Sequence, residues 1–344
     1  MFNRTFFAAL IFISAPLFRA PAFSADTPPL PAARKQASER RIASSRHTLL
    51  VQPASSRGPI LEMINKAQRT LDLVIYEMDD TEIMDAMMNA AKRGVKVRAI
   101  FDVRSKHFIP NPNPATMKTL AAGGVSVKEA SAALFPITHQ KTLVADNSAA
   151  IVMTFNLCPD YFGGTRDFGI RTTDPNEVSG IARTFEDDWN GKAYKNVSSP
   201  LVWSPDNARK KLLGLINSAA ATLDIYSLEV KDKEVVSALG AAVKRGVKVR
   251  LIAARLLEGG RDVNAEGLAR VREAGVLAKS MQTLFVHGKM IMADYGTPSA
   301  SVYVGSQNFS ASSLDRNREL GIISVNREVL KGIKDVFDSD WDAS

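Results

Sequence analysis

Apolar and polar positions follow one order along the chain, and that order is written out twice. Residues 71–77 form an apolar run, 81–93 carry helical spacing that stops at Gly94, and VKVRAIF at 95–101 alternates as a strand. The same succession returns at 223–229, at 233–245 up to Gly246, and in VKVRLIA at 247–253. A leading helix is predicted over 58–69 and 207–221. Another is predicted over 114–122 and 264–274, followed by the short strands VSVKEA and VLAKSM. Three more strands are expected in each copy: one through a His-x-Lys triplet, one at 150–153 or 301–304, and one at 168–172 or 320–324. Closing helices end in FEDDWN and FDSDW.

The repetition is literal in places. TLDLVIYEMDD at 70–80 returns as TLDIYSLEVKD at 222–232, an offset of 152 that also carries Asn156 onto Asn308, Asp167 onto Glu319 and Trp189 onto Trp341. Helices alternating with apolar strands in duplicate predict an α/β fold. Its two similar half-domains, 48–190 and 201–344, are mixed sheets flanked by helices. A linker at 191–200 joins them, and a pseudo-twofold axis is expected to relate them.

The ends change the picture more than the bulk composition does. MFNR, the apolar TFFAALIFISAPLF and the small residues Ala20, Ala22 and Ser24 have the layout of a signal peptide over 1–24, predicting a periplasmic or secreted protein. Residues 25–47 read as a flexible basic linker. Of the net charge of +8, leader and arm hold a net five, so the remaining body carries +3. That is a weak footprint for nucleic acid. Cys158 is the single cysteine, so no intrachain disulfide forms and the core must hold the fold.

The duplicated chemistry lies in THQKTLVAD at 138–146 and VHGKMIMAD at 286–294. On a strand, His139 and Lys141 point to one side, and so do His287 and Lys289. Two imidazoles and two ammonium groups facing one cleft suit a phosphodiester. One imidazole attacks phosphorus and forms a phosphohistidine, and the other protonates the leaving oxygen. The lysines balance charge on the non-bridging oxygens. Asn156 and Asn308 supply amide donors, with Ser306 and Thr154 as substrate-binding hydroxyls; Asp167 and Glu319 are the matched acids that can orient the imidazoles. The scheme requires no metal and no cofactor, and implies no obligate protein partner.

These strings resemble the phospholipase D superfamily, whose signature runs HxK, four residues, D, six residues, GSxN. The first copy keeps that spacing but has Met153 where the family has glycine and Thr154 where it has serine. The second keeps GSQN at 305–308 but has a gap four residues longer, placed in a hairpin at 296–299. The resemblance covers about 48–344 and implies a phospholipase D-like fold with both histidines at one site. It also implies that Asp146 and Asp294 are structural, leaving them secondary candidates.

Other positions are read by the same logic. His47 and His107 have no duplicate and read as loop or surface residues, although Lys106 and His107 could rim the cleft. Glu77 and Glu229 read as strand-end ion-pair partners or as site residues, the structural reading being preferred, and Trp189 and Trp341 as packing anchors. Arg316 and Arg318 read equally as phosphate contacts or solvated side chains. Phe108, Ile109, Leu134, Phe135, Leu284 and Phe285 could form an apolar lip but read slightly better as core. The resulting expectation is a phosphodiesterase of phospholipase D type, hydrolysing or transferring the phosphatidyl group of phospholipids at a membrane surface. Its alternatives are a metal-independent nuclease acting on nucleic acid, a phosphatidyltransferase of the cardiolipin synthase type, and a catalytically idle binding module.

Overall fold

Two sheets that share one seven-strand order carry the duplication into three dimensions. The computed structural model describes residues 38–39, 41, 45–104, 110–192, 195 and 199–344. The leader, most of the basic arm, and Lys106, His107, Phe108 and Ile109 lie outside the described residues. From Ser38 onward the chain is one compact unit.

The first half runs β1 (His47–Gln52), α1 (Gly58–Lys66), β2 (Thr70–Ile75), α2 (Thr81–Lys92), β3 (Lys96–Phe101) and α3 (Asn113–Ala122). It continues through β4 (Ser126–Glu129), β5 (Thr142–Ala145), β6 (Ala149–Met153), α4 (Pro159–Gly163), β7 (Thr165–Thr172) and α5 (Pro175–Trp189). The second half runs β8 (Val202–Ser204), α6 (Ala208–Ser218), β9 (Thr222–Ser227), α7 (Lys233–Lys244), β10 (Lys248–Ala253), β11 (Leu257–Glu258) and β12 (Arg261–Asp262). It ends with α8 (Ala265–Glu273), β13 (Leu277–Ser280), β14 (Phe285–Val286), β15 (Met290–Ala293), β16 (Ser301–Gly305), α9 (Ala311–Asp315), β17 (Glu319–Ser324) and α10 (Arg327–Ala343).

Each sheet is mixed, in the order β1-β7-β6-β5-β2-β3-β4 and, as its counterpart, β8-β17-β16-β15-β9-β10-β13. Strand alternation explains the layers. Leu143, Ala145, Ile151 and Met153 face an outer core under α1 and α2. Val144, Ala150 and Val152 face inward and meet Met290, Met292, Val302 and Val304 of the other sheet in a shared central core. Phe337 of α10 and Ile181 of α5 complete that core.

Local chemistry sets the element ends. Asp80 and Asp232 cap α2 and α7, accepting from Ile83 N–H and from Glu234 and Val235 N–H. Helices α1 and α6 stop three residues before the expected ends because Asp146 captures the N–H groups of Gln68, Arg69 and Thr70, and Asp294 those of Ala220, Ala221 and Thr222. The longer second-copy gap is the β15–β16 connection, which turns at Gly296 with φ +87°.

His47 departs from the sequence reading. It opens β1 with 5% exposure, its Nε2 2.8 Å from Glu177 Oε2 and its Nδ1 3.0 Å from Ser324 Oγ. Register with Thr172 of β7 draws it inside. That pairing is long-range, so local pattern could not reveal it.

Candidate active site

The His-x-Lys triplets are not regular strand, as alternation had predicted. β5 starts at Thr142 and β15 at Met290, one residue after each lysine. The reason is a crossing between halves. His139 N–H and Gln140 N–H both donate to the Arg318 carbonyl, at 2.9 and 3.0 Å. His287 N–H and Gly288 N–H both donate to the Arg166 carbonyl, at 3.2 and 2.8 Å. Two successive donors on one carbonyl make a bulge, which re-aims side chains. Each triplet then joins its home sheet, where the carbonyls of Lys141 and Lys289 accept from Met153 and Gly305. On the far side, Thr138 bridges Arg318 and β14 pairs with Thr165–Arg166. Each histidine therefore hangs between the two halves, at the carboxyl ends of β2 and β3 or of β9 and β10.

The orienting acids are exchanged across the same boundary. His139 Nδ1 lies 2.9 Å from Glu319 Oε2, and His287 Nδ1 lies 3.0 Å from Asp167 Oδ1. A carboxylate acceptor assigns the proton to Nδ1 and leaves the Nε2 lone pair for chemistry. Both acids are fully buried. Asp167 also accepts from Thr154 Oγ1 at 2.5 Å and Thr165 Oγ1 at 2.6 Å, and Glu319 accepts from Ser313 Oγ and from Asn317 Nδ2 at 3.4 Å.

This corrects the expected role of two hydroxyls. Thr154 donates to Asp167 and accepts from Phe168 N–H, while Ser306 donates to the Leu320 carbonyl and accepts from Leu320 N–H. Both are fully buried. They support the acids and strands behind the site and present no free hydroxyl to a substrate.

Burial dominates the electrostatics. It pushes His287 down to about 3, with the Lys289 charge adding to the effect against Asp167. His139 is lowered by burial and then by Lys141, and is opposed by Glu319. Burial takes Lys141 down to about 7, helped by repulsion from Lys289, and takes Lys289 down to about 8. Asp167 and Glu319 stay below their usual range because the facing histidines and lysines outweigh their burial. Each lysine acts on groups of the other half, so one electrostatic neighbourhood holds all six. Lys141 Nζ donates to the His139 carbonyl at 2.6 Å. Lys289 Nζ donates to the His287 carbonyl at 2.5 Å and lies 3.0 Å from His287 Nε2.

Asn156 donates to Glu77 Oε2 at 3.2 Å and the Tyr161 hydroxyl at 3.0 Å. The Oδ1 atoms of Asn156 and Asn308 are buried without a protein partner. The matched glutamates differ: Glu77 is fully buried beside Asn156, whereas Glu229 is half-buried and paired with Lys231 at 3.0 Å.

Sequence spacing missed two rings. Tyr76 packs edge-on against His139 with centroids 4.7 Å apart, and Tyr161 against His287 at 4.9 Å. Their only sequence signal was proximity to Glu77 and Asn156.

Other singled-out residues lie outside this cluster. Asp146 and Asp294 sit at the opposite strand ends as backbone anchors, each with φ +53°. Arg318 is fully buried, paired with Asp188 at 2.7 Å and stacked over Phe135 at 4.1 Å; Arg316 is exposed. Trp189 stacks on Phe185 and Trp341 on Phe337, under Arg98 and Arg250, as packing anchors do. Leu134 and Leu284 are half-buried, Phe135 is buried and Phe285 is 37% exposed. A cavity of about 350 Å³ lined by Met63, Asp146 and Arg171 contains none of the paired histidines or lysines.

Comparison with known proteins agrees with this arrangement. The model of the family described as "Cardiolipin synthase, PLD-like domain" matches residues 60–189 and again 212–341. The chain is 23% identical to cardiolipin synthase A of Pseudomonas aeruginosa (strain LESB58) over 341 residues, covering 87% of this chain and 68% of that protein. Among solved structures, polyphosphate kinase from Porphyromonas gingivalis superposes with a TM-score of 0.66 at 15% identity, over 86% of this chain and 47% of its own. Phosphatidylserine synthase from Haemophilus influenzae Rd KW20 gives 0.63 at 11% identity, over 89% and 90%. At those identities the two superpositions speak for the fold. With its domain model matched twice along one polypeptide, the chain belongs to the phospholipase D superfamily, in the cardiolipin synthase, PLD-like domain family.

Proposed function

We propose that the chain transfers a phosphatidyl group from a phospholipid to an acceptor alcohol through a phosphohistidine. The observation that carries this reading is the reciprocal pair of imidazoles, each oriented by a buried acid from the opposite half and flanked by a buried lysine. His139, with 12% side-chain exposure against 4% for His287, is assigned the attack. Its Nε2 bonds to phosphorus while the ester bond to the leaving alcohol breaks; with the phosphodiester anion bound and favouring its imidazolium form, His287 gives that oxygen its proton from Nε2. The acceptor then returns a proton to His287, bonds to phosphorus, and the phosphorus–nitrogen bond breaks. Lys141 and Lys289 offset the charge of the non-bridging oxygens, and an incoming phosphodiester raises their proton affinity. Relatives named as cardiolipin synthases favour an alcohol over water as acceptor. Export, read from residues 1–24, would put this chemistry beside bilayer phospholipid.

The test is full-length protein with EDTA and detergent-dispersed phosphatidylglycerol, with mass spectrometry of products. A diphosphatidyl product with released glycerol supports transfer. Phosphatidic acid alone means that water is the acceptor, and cleavage of single-stranded DNA without lipid turnover means a nuclease.

A further inference from the structure

Three large apolar side chains stand exposed among the described residues: Leu257 at 53%, Leu277 at 51% and Phe285 at 37%. Their placement on the second sheet separates them. Strands β9, β10 and β13 run parallel, and their carboxyl ends share one edge with Lys289, because Met290 pairs with Tyr226 near the end of β9. The β11–β12 hairpin leaves that edge after β10, with the exposed Gly259 and Gly260 at its turn and Leu257 paired with Asp262 at its open end. Asn264 ties the hairpin base to the same edge, donating to the carbonyls of Leu228 and Ala254. Phe285 also lies there, two residues before His287 on the segment that crosses to β7. Leu277, by contrast, starts β13 at the opposite end of the sheet.

Charge follows the same side. Arg255 and Arg261 flank Leu257 and are exposed, whereas the Asp262 carboxylate turns into the loop and accepts from Leu256 N–H and Asn264 N–H. An exposed leucine between exposed guanidinium groups fits a surface with acyl chains beneath anionic headgroups. No helix among the described residues is long and apolar enough to cross a membrane.

We infer that the β11–β12 hairpin, with Phe285 beside it, is an interfacial anchor that seats the second half's active-site edge on an anionic bilayer. This deepens the phosphatidyl-transfer reading and rests on it for the reason a membrane is met. The anchor holds the mouth of the site at the depth of lipid phosphates, with the histidine–lysine cluster behind it.

A single-site fluorescence experiment tests this on the full chain. Cys158 is buried and is the sole cysteine, so Leu257→Cys and Leu277→Cys can each be tagged with a polarity-sensitive thiol dye. On vesicles of phosphatidylcholine with phosphatidylglycerol, the dye at 257 should shift to the blue and be quenched by acyl-chain quenchers; the dye at 277 should do neither. Leu257→Ser should raise the vesicle dissociation constant about tenfold, and Arg255→Gln or Arg261→Gln about fivefold each. Equal shifts at 257 and 277 mean unoriented adsorption, for instance through the basic arm, and overturn the inference. So does no shift at 257 in a protein that turns over detergent-dispersed lipid, an outcome that leaves phosphatidyl transfer standing. A protein that inserts at 257 but turns over no lipid supports the anchor and removes the transfer reading.

Discussion

Around His139 the first half supplies its own aromatic wall, Tyr76; around His287 the wall, Tyr161, again comes from the first half. The second-half counterparts of these tyrosines are Leu228 and Ser313, and Ser313 instead donates its hydroxyl to Glu319. Away from the site the halves match closely. Arg98 pairs with Asp72 and Glu186 over Phe185 and Trp189, and Arg250 pairs with Asp224 and Asp338 over Phe337 and Trp341. Duplicated charges that lock the frame are kept in both copies, while the uncharged neighbours of the imidazoles differ. The difference gives two chemically identical side chains unlike surroundings, as separate roles in one reaction require.

Removing each imidazole gives the largest test of that comparison. His139→Ala and His287→Ala should each lower lipid turnover on the order of 10⁴-fold with circular dichroism unchanged, since nucleophile and general acid are both lost steps. If either variant kept a tenth of the wild-type rate, the two-histidine scheme would fail. The exchanged acids come next. In Glu319→Gln the new amide can donate to His139 Nδ1, which moves the ring proton to Nε2 and removes the attacking lone pair; in Asp167→Asn the same shift leaves His287 Nε2 unable to take the proton of the acceptor alcohol. The expected loss in kcat is about 10² to 10³-fold, with KM little changed.

The duplication, the α/β class, the helix starts at Thr81 and Lys233 and the histidine–lysine pairs were legible because they rest on local periodicity and literal repetition. What was not legible depends on how the halves pack. Nothing in HQK or HGK says that two N–H groups will fall on one carbonyl of the other half, that of Arg318 or of Arg166, so the triplets were read as plain strand. The exchange of Asp167 and Glu319 between histidines is likewise a product of the interface; spacing gave the residues and not the partners. Thr154 and Ser306 looked like ligands by position in the signature, yet buried acids and strands need donors, and those hydroxyls were within reach.

A smaller effect separates the halves behind the site. In the second half the Tyr303 ring lies against Gly305 and Gly321, where a Cβ on either glycine would collide with it. The first half has Ile151, Met153 and Gly169 at those positions, so the volume of the tyrosine ring is replaced by the methionine side chain. The glycine absent from the first signature is therefore a packing exchange. Met153→Gly should cost about 2–4 kcal/mol in urea unfolding. Adding Ile151→Tyr should recover part of it, with a coupling of about 1 kcal/mol or more. Recovery stays partial because Tyr303 donates to Gln307, and Phe155 stands at that place in the first half. Additive costs would show that the two sites are packed independently.

The smallest expected effect compares the lysines through pH. Folding takes Lys141 from an ordinary 10.5 down to about 7 and Lys289 to about 8, chiefly by burial. Below about pH 7 both folded and unfolded chains carry these protons, and the full cost of burying the charges is present. Between there and about 10.5 the unfolded chain binds more protons than the fold, so stability rises with pH. His287, taken from 6.5 to about 3, acts in the same direction lower down: its contribution is complete above 6.5 and is lost as pH falls toward 3. Differential scanning calorimetry should therefore give a Tm higher at about pH 9 than at about pH 6, by a few degrees. Lys141→Met and Lys289→Met should both flatten the rise. Lys141→Met should flatten it more, by on the order of 1 kcal/mol, since the first-half lysine has the deeper shift and the repulsion from Lys289 is relieved. Equal slopes in the two variants would mean that the halves bury their lysines alike and that the asymmetry stops at the aromatic walls.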